Sequence, residues 1–150
     1  MSLLVIRKIG DPVLRTQTKE VKKITQKTKE LINGMKKTME INDGIGLAAP
    51  QVGISQRIIV LNVAEKMITM INPEIIEQKG NEIGEEGCLS IPEQRGLVKR
   101  AKKIKVQGLN LRGKSRIIEA DGLLARAFQH EIDHLNGILF VDKLFREDLN

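Results

Sequence analysis

Between residues 25 and 42, apolar Leu31, Ile32, Met35 and Met39 recur at helical spacing beside Lys27, Lys29, Lys36 and Lys37. This periodicity predicts an amphipathic helix, closed by Asn42-Asp43-Gly44. The pattern then changes. Residues 57–63 (RIIVLNV) and 67–71 are rich in β-branched side chains and predict strands, with Asn72-Pro73 as punctuation and 74–78 continuing extended. Ile104 and Val106 alternate with Lys103, Lys105 and Gln107, and Gly108 is expected to form a bulge. Arg112-Gly113-Lys114 divides this strand from 116–119, so the two predict a hairpin. Residues 1–24 mix short apolar runs with Asp11-Pro12 and Lys pairs, and read as an extended segment, a turn and a connection.

Asp121 stands at the N-cap position of a second predicted helix, 122–136, which Gly137 can end in the left-handed conformation. At about 100° per residue, Arg126, Gln129, Asp133 and Asn136 gather on one arc, expected to project outward. So narrow a polar arc places this helix at the centre of the fold. No repeat or low-complexity linker divides the chain. The expected architecture is therefore one α+β domain over 1–150, with antiparallel β-sheets wrapped around a central helix and an amphipathic helix toward the N-terminus.

Composition narrows the function classes. A chain of 150 residues with 41% hydrophobic content can bury roughly 68–70% of its unfolded surface, which excludes a disordered tail protein. Cys88 is the single cysteine, so no intramolecular disulfide forms and a reducing compartment is expected. No run reaches the ~18 apolar residues of a membrane span, and the start MSLLVIRK lacks a signal peptide's layout. A cytoplasmic protein with no membrane partner is the expectation. Only three Phe and no Trp or Tyr are present, which argues against a stacking surface for single-stranded nucleic acid. The net charge is +6, and Lys99, Arg100, Lys102, Lys103 and Lys105 form the densest basic patch. It reads as a solvated face ahead of a site for an anionic partner.

The sharpest chemical signal is His130-Glu131-Ile132-Asp133-His134, an HExxH pattern inside the second predicted helix that holds both histidines of the chain. Spacing of four puts the two imidazoles on one face, one turn apart, where a divalent metal can bridge them. Chance placement of this pattern arises in roughly one shuffle of the composition in a thousand. Glu131 falls near Leu124, Phe128 and Leu135 on the helical wheel, so burial is expected to raise its pKa and suit it to a proton shuttle. Two histidines leave a metal short of ligands, and Cys88, preceded by Gly87, is the only thiol. A lone cysteine is commonly a small buried hydrophobe. Beside an incomplete two-histidine site it is read as the third ligand, with one position open for water and substrate.

Residues 44–53 (GIGLAAPQVG) superficially satisfy a dinucleotide fingerprint, but a helix precedes them and Pro50 interrupts, so nucleotide binding is set aside. Gly44 and Gly46 allow close backbone approach to a ligand, with Gln51 as an uncharged amide donor. The other reading is a tight turn with Gln51 solvated, and the segment alone leaves both open.

Together, GIGLAAPQ at 44–51, EGCLS at 86–90 and QHEIDH at 129–134 resemble the three signature motifs of the bacterial peptide deformylase family, in the family's order. The resemblance extends through 57–61, 71–73, 91–95 and 119–124. It implies removal of the N-formyl group from the initiator methionine of nascent peptides, with release of formate. It implies Cys88, His130 and His134 as metal ligands. It makes Glu131 the residue that takes a proton from the attacking water and passes it to the leaving amine. Leu89 through its backbone N–H and Gln51 through its amide would form an oxyanion hole. Backbone at Ile45, Gly46 and Gly87 would pair with the peptide like an added strand, and the methionine side chain would enter a pocket including Ile45, Leu123 and Ala127. A thiolate and two imidazoles suit Zn2+, whereas the family implies Fe2+ in the cell, with Ni2+, Co2+ or Zn2+ found in purified protein. Arg126 departs from the apolar residue expected near the methionine pocket. The chain ends thirteen residues after Gly137, where many relatives carry a longer basic helix associated with ribosome docking, so any transient ribosome contact would need another surface, with 99–105 the candidate. A monomer without sequence-specific nucleic-acid binding is expected. The rival classes are an ordinary HExxH metallopeptidase, for which a third His is missing, and a basic RNA-docking metal module.

Overall fold

The computed structural model describes residues 3–145, built from seven strands and two α-helices. Helix α1 (Gln26–Ile41) starts at Thr25, whose hydroxyl accepts from the Thr28 N–H while the Thr28 hydroxyl accepts from the Thr25 N–H. That reciprocal cap satisfies two of the donors a helix N-terminus leaves free. The helix buries Ile32, Met35 and Met39 against Leu47, Ile58, Val60 and Ile71.

Strands β1 (Gly46–Ala48), β2 (Ile58–Val63), β3 (Lys66–Lys79), β6 (Lys103–Leu109) and β7 (Ser115–Asp121) form one antiparallel sheet in the order β1-β2-β3-β6-β7. Strands β4 (Glu82–Cys88) and β5 (Ile91–Arg100) form a separate hairpin. The alternation of β2 and β3 sends Ile59, Leu61, Ile68 and Met70 to one face, where they meet Phe128, Ile132 and Leu135 of α2 (Gly122–Leu135). Val60, Ile58 and Ile71 line the other face, toward α1.

Three expectations need correction. The β6–β7 register runs without a shift through Gly108↔Arg116, so Gly108 is no bulge. The irregularities fall on β3, between Ile71 and Glu74 and between Ile75 and Glu77. Gly108 serves close approach instead: a Cβ there would lie 3.1 Å from the Ile71 carbonyl oxygen and 2.9 Å from the Met70 sulfur. The polar arc of α2 does not project into solvent. Arg126 and Gln129 are buried, because the β4–β5 hairpin and the Ala101 turn cover that arc; Gln129 exchanges hydrogen bonds with both Ala101 N and O at 2.9 Å. The basic patch is broken in the same way. Arg100 is buried while Lys99, Lys102 and Lys103 are exposed, since β5 alternates and Arg100 shares the inward side with Val98.

Candidate metal centre

Three segments converge beneath a cleft of about 450 Å³. Helix α2 supplies His130 and His134 one turn apart, with ring centroids separated by 5.0 Å. The end of β4 supplies Cys88, whose Sγ is 3.3 Å from His134 Nε2. One donor atom from each of Cys88, His130 and His134 lies within 4.8 Å of the others. His134 is fully buried beneath the cleft, while Cys88 and His130 form part of its wall.

Electrostatics prepare this cluster for a cation. Burial, followed by the nearby His130 and Arg100 charges, holds the His134 imidazole well below its usual pKa. It is therefore neutral, as a ligand must be. Burial also works against a charged His130, but hydrogen bonding to Cys88 and the neighbouring Glu131 and Glu86 outweigh it and push the imidazole up to about 10. The groups that attract positive charge to His130 are Cys88, Glu131 and Glu86. His134 Nδ1 and Glu131 Oε1 are buried with no hydrogen-bond partner among the described residues. The donor set of one thiolate and two imidazoles fits Zn2+, Fe2+, Co2+ or Ni2+.

Glu86 orients His130. Its Oε1 lies 2.9 Å from His130 Nδ1, which leaves the opposite ring nitrogen for a metal. Arg100 donates to both Glu86 oxygens at 2.8 Å, and Arg126 donates to Oε2 at 2.7 Å. Arg100 also reaches Asp133 at 2.6 Å, and Arg126 caps the carbonyls of Val98 and Glu82 at 2.9 Å. Burial disfavours the Glu86 carboxylate, but the Arg100 hydrogen bonds and His130 hold its pKa far below the ordinary range. In the sequence alone Glu86 is visible only as the first residue of EGCLS and Arg100 only as part of a basic run. The signal for Arg126 was present, since 126, 130 and 134 share one stripe of α2 at spacing of four.

Glu131 is buried, and burial pushes its carboxyl up to about 7, against the His130 charge. Its neighbour across the cleft is Gly46 at the start of β1. A Cβ at residue 46 would lie 2.5 Å from Glu131 Oε2, so this glycine admits the carboxylate. Gly46→Ala is expected to lower kcat by about 10²-fold through displacement of Glu131, with metal content unchanged. Wild-type kcat in that variant would show that the contact carries nothing.

Gln51 lies in the 3-10 turn Ala49–Val52 that follows β1, and it is buried rather than solvated. Its Oε1 accepts from Ala48 N at 2.9 Å, and its Nε2 donates to Ser90 Oγ at 3.1 Å and approaches Cys88 Sγ at 3.5 Å. The amide nitrogen is thereby aimed at the cluster. Leu89 sits in the β4–β5 turn, half-buried against Gly44. Ile45 and Leu123 are exposed at the rim, Ala127 is buried at the base, and Gly46 and Gly87 face the cleft from β1 and β4. Of the catalytic, metal-ligand and substrate positions expected from the sequence, all but His134 line this one cleft, and His134 lies beneath it.

A buried carboxylate beside a Cys-His-His cluster, with amide donors opposite, defines a metal-dependent hydrolase. The chain belongs to the polypeptide deformylase family, whose model matches residues 3–150. It is 61% identical over 148 residues to the peptide deformylase of Halothermothrix orenii, covering 97% of this chain and 96% of that protein. The Carboxydothermus hydrogenoformans peptide deformylase is 54% identical over 143 residues, 95% of this chain and 94% of the relative. The crystal structure of Thermotoga maritima peptide deformylase superposes with a TM-score of 0.95 at 48% identity, over 97% of this chain and 100% of that one. The Synechococcus elongatus enzyme, solved in complex with actinonin, gives 0.93 at 43% identity, over 96% and 80%.

Proposed function

We infer that this protein removes the N-formyl group from the N-terminal formylmethionine of nascent polypeptides and releases formate. The observation that carries the reading is Glu131, buried beside the Cys88, His130 and His134 cluster in the same cleft as Gln51. Cys88, His130 and His134 would hold the metal, which would supply Lewis-acid chemistry to the water and the formyl group.

The chain's own groups do the rest. Glu131 takes a proton from the attacking water and returns it to the leaving amine, which a carboxyl near neutrality can do in both directions. The Gln51 amide and the Leu89 N–H stabilise the oxyanion that develops on the formyl oxygen. Ile45, Gly46 and Gly87 offer backbone groups to an extended peptide. Supporting this, among the described residues β1 pairs only with β2 and β4 only with β5, which leaves one edge of each without a strand partner there. The methionine side chain enters beside Ile45, Leu123 and Ala127. Arg126 lines the cleft as well, with its guanidinium directed to Glu86.

The reading extends to one catalytic domain over 1–150, with α2 as the central HExxH helix and α1 as its amphipathic partner. Fe2+ is the ion in the cell, replaced by Zn2+, Ni2+ or Co2+ on purification. The lone cysteine supports a reducing, cytoplasmic setting, and no helix among the described residues is long and apolar enough to cross a membrane. The protein acts as a monomer. Transient ribosome contact falls to Lys99, Lys102, Lys103 and Lys105, because Arg100 faces inward.

Cys88→Ala tests the ligand set. The variant is expected to fold, to lose its metal on dialysis and to lose deformylation with it. Stoichiometric metal after dialysis, measured by atomic emission, would mean that another group completes the site.

A further inference from the structure

Residues 4–14 cross the two pieces of chain that carry the oxyanion donors. Arg7 N donates to the Gln51 carbonyl at 2.7 Å, and Ile9 N donates to the carbonyl of Ser90, the residue after Leu89, at 2.9 Å. Between them, Lys8 Nζ donates to the Leu89 carbonyl at 3.4 Å. The two donors are two residues apart, on the short stretch that leads into the Lys8–Asp11 turn, so the segment bridges the two carbonyls directly.

Nothing in the sheets does this. Gln51 follows β1 of the five-stranded sheet and Ser90 follows β4 of the hairpin, and the two sheets share no strand pairing. The Gln51 to Ser90 side-chain bond crosses the same gap, but it orients an amide and does not fix the backbones that carry it. Both ends of the segment are anchored. Leu4 N donates to Thr38 Oγ1 of α1 at 3.1 Å and its side chain packs on the α1 cluster. Leu14 is buried with Ile91, Val98, Leu139 and Phe140 beneath the hairpin. The Arg7 side chain covers Gly53, which has φ of 87° and where a Cβ would lie 2.8 Å from Arg7 Nη2. The turn after Gln51 is thus fitted to the strap as well.

We propose that residues 4–14 form a strap whose backbone N–H groups at Arg7 and Ile9 set the separation of the Gln51 and Leu89 oxyanion donors. The proposal rests on the oxyanion roles of those two residues. Arg7 and Ile9 are positioning residues. Among the described residues their hydrogen bonds go to Gln51, Ser90 and Asp11 and to none of Ile45, Gly46, Gly87, Leu123 or Ala127, so the strap is expected to act on the chemical step and leave peptide binding alone.

Ile9→Pro and Arg7→Pro each remove one N–H from the strap. In metal-loaded protein acting on an N-formylmethionyl tripeptide, each is expected to lower kcat by about 10²-fold, with KM, metal content and melting temperature near wild type. Val5→Pro is the control, because among the described residues the Val5 N–H makes no hydrogen bond and its side chain is exposed; its kcat should match wild type. Where a proline variant does not fold, Arg7→Gly/Ile9→Gly keeps both N–H groups and softens the strap. It should lose kcat in the same direction by several-fold at constant KM. Gln51→Ala, assayed in parallel, separates the two levels of the argument. A large kcat loss in Gln51→Ala with unchanged kcat in the folded strap variants overturns the strap alone. Unchanged kcat in Gln51→Ala overturns the oxyanion reading beneath it. A kcat loss in step with lost metal or a raised KM would make the strap merely structural and also overturn the proposal.

Discussion

Glu131→Gln is expected to keep its metal and lose turnover by about 10²–10⁴-fold. The substitution preserves shape in a site where Glu131 is buried against Gly46, so packing is undisturbed. The ligands Cys88, His130 and His134 are untouched, so stoichiometric metal should remain. What is lost is a group able to accept and return a proton. Burial pushes the Glu131 carboxyl up to about 7, near the point where both protonation states are accessible at neutral pH. Kinetics with metal analysis on the same sample decide the matter, and normal kcat with metal bound would remove Glu131 from the proton transfer.

The second large effect is on stability. Glu86→Ala leaves the buried guanidinium groups of Arg100 and Arg126 without the carboxylate that both engage. Breaking such a network by removing one partner costs about 3–5 kcal/mol. For a chain of this length that is a fall in Tm of roughly 6–20 °C. Glu86→Gln keeps the volume and removes the charge, so a smaller fall is expected. Both variants release His130 Nδ1 from its carboxylate partner and should weaken metal affinity by about 10–100-fold. Calorimetry and metal titration read the two effects separately. A wild-type Tm together with wild-type affinity would show that the network neither holds the hairpin on α2 nor orients His130.

The contrast between Glu131 and Glu86 shows what was legible in the chain. His130, Glu131 and His134 stand on one helix, where spacing alone fixes which side chains share a face, and α1, β2, β3 and the β6–β7 hairpin declare themselves by similarly local periodicity. Cys88 could be attached to the histidines because the two-imidazole site lacked a ligand. The Glu86 hub is different in kind, since Arg100, Arg126 and His130 come from two other elements. Its existence depends on the β4–β5 hairpin lying over the polar arc of α2, and no periodicity in the sequence says which surface covers that arc. Buried charge therefore read as exposed charge. Gly46 and Gly108 were recognised as special glycines, but what approaches each is a side chain or strand distant in sequence, Glu131 in one case and β3 in the other.

The central claim is tested most directly by incubating anaerobically prepared, Fe2+-loaded protein with an N-formylmethionyl peptide, alongside an N-acetylmethionyl control, and measuring formate, acetate and bound metal in one sample. Catalytic release of formate from the first peptide, with no acetate from the second, is the predicted result. A fully metal-loaded protein that releases no formate would contradict the account.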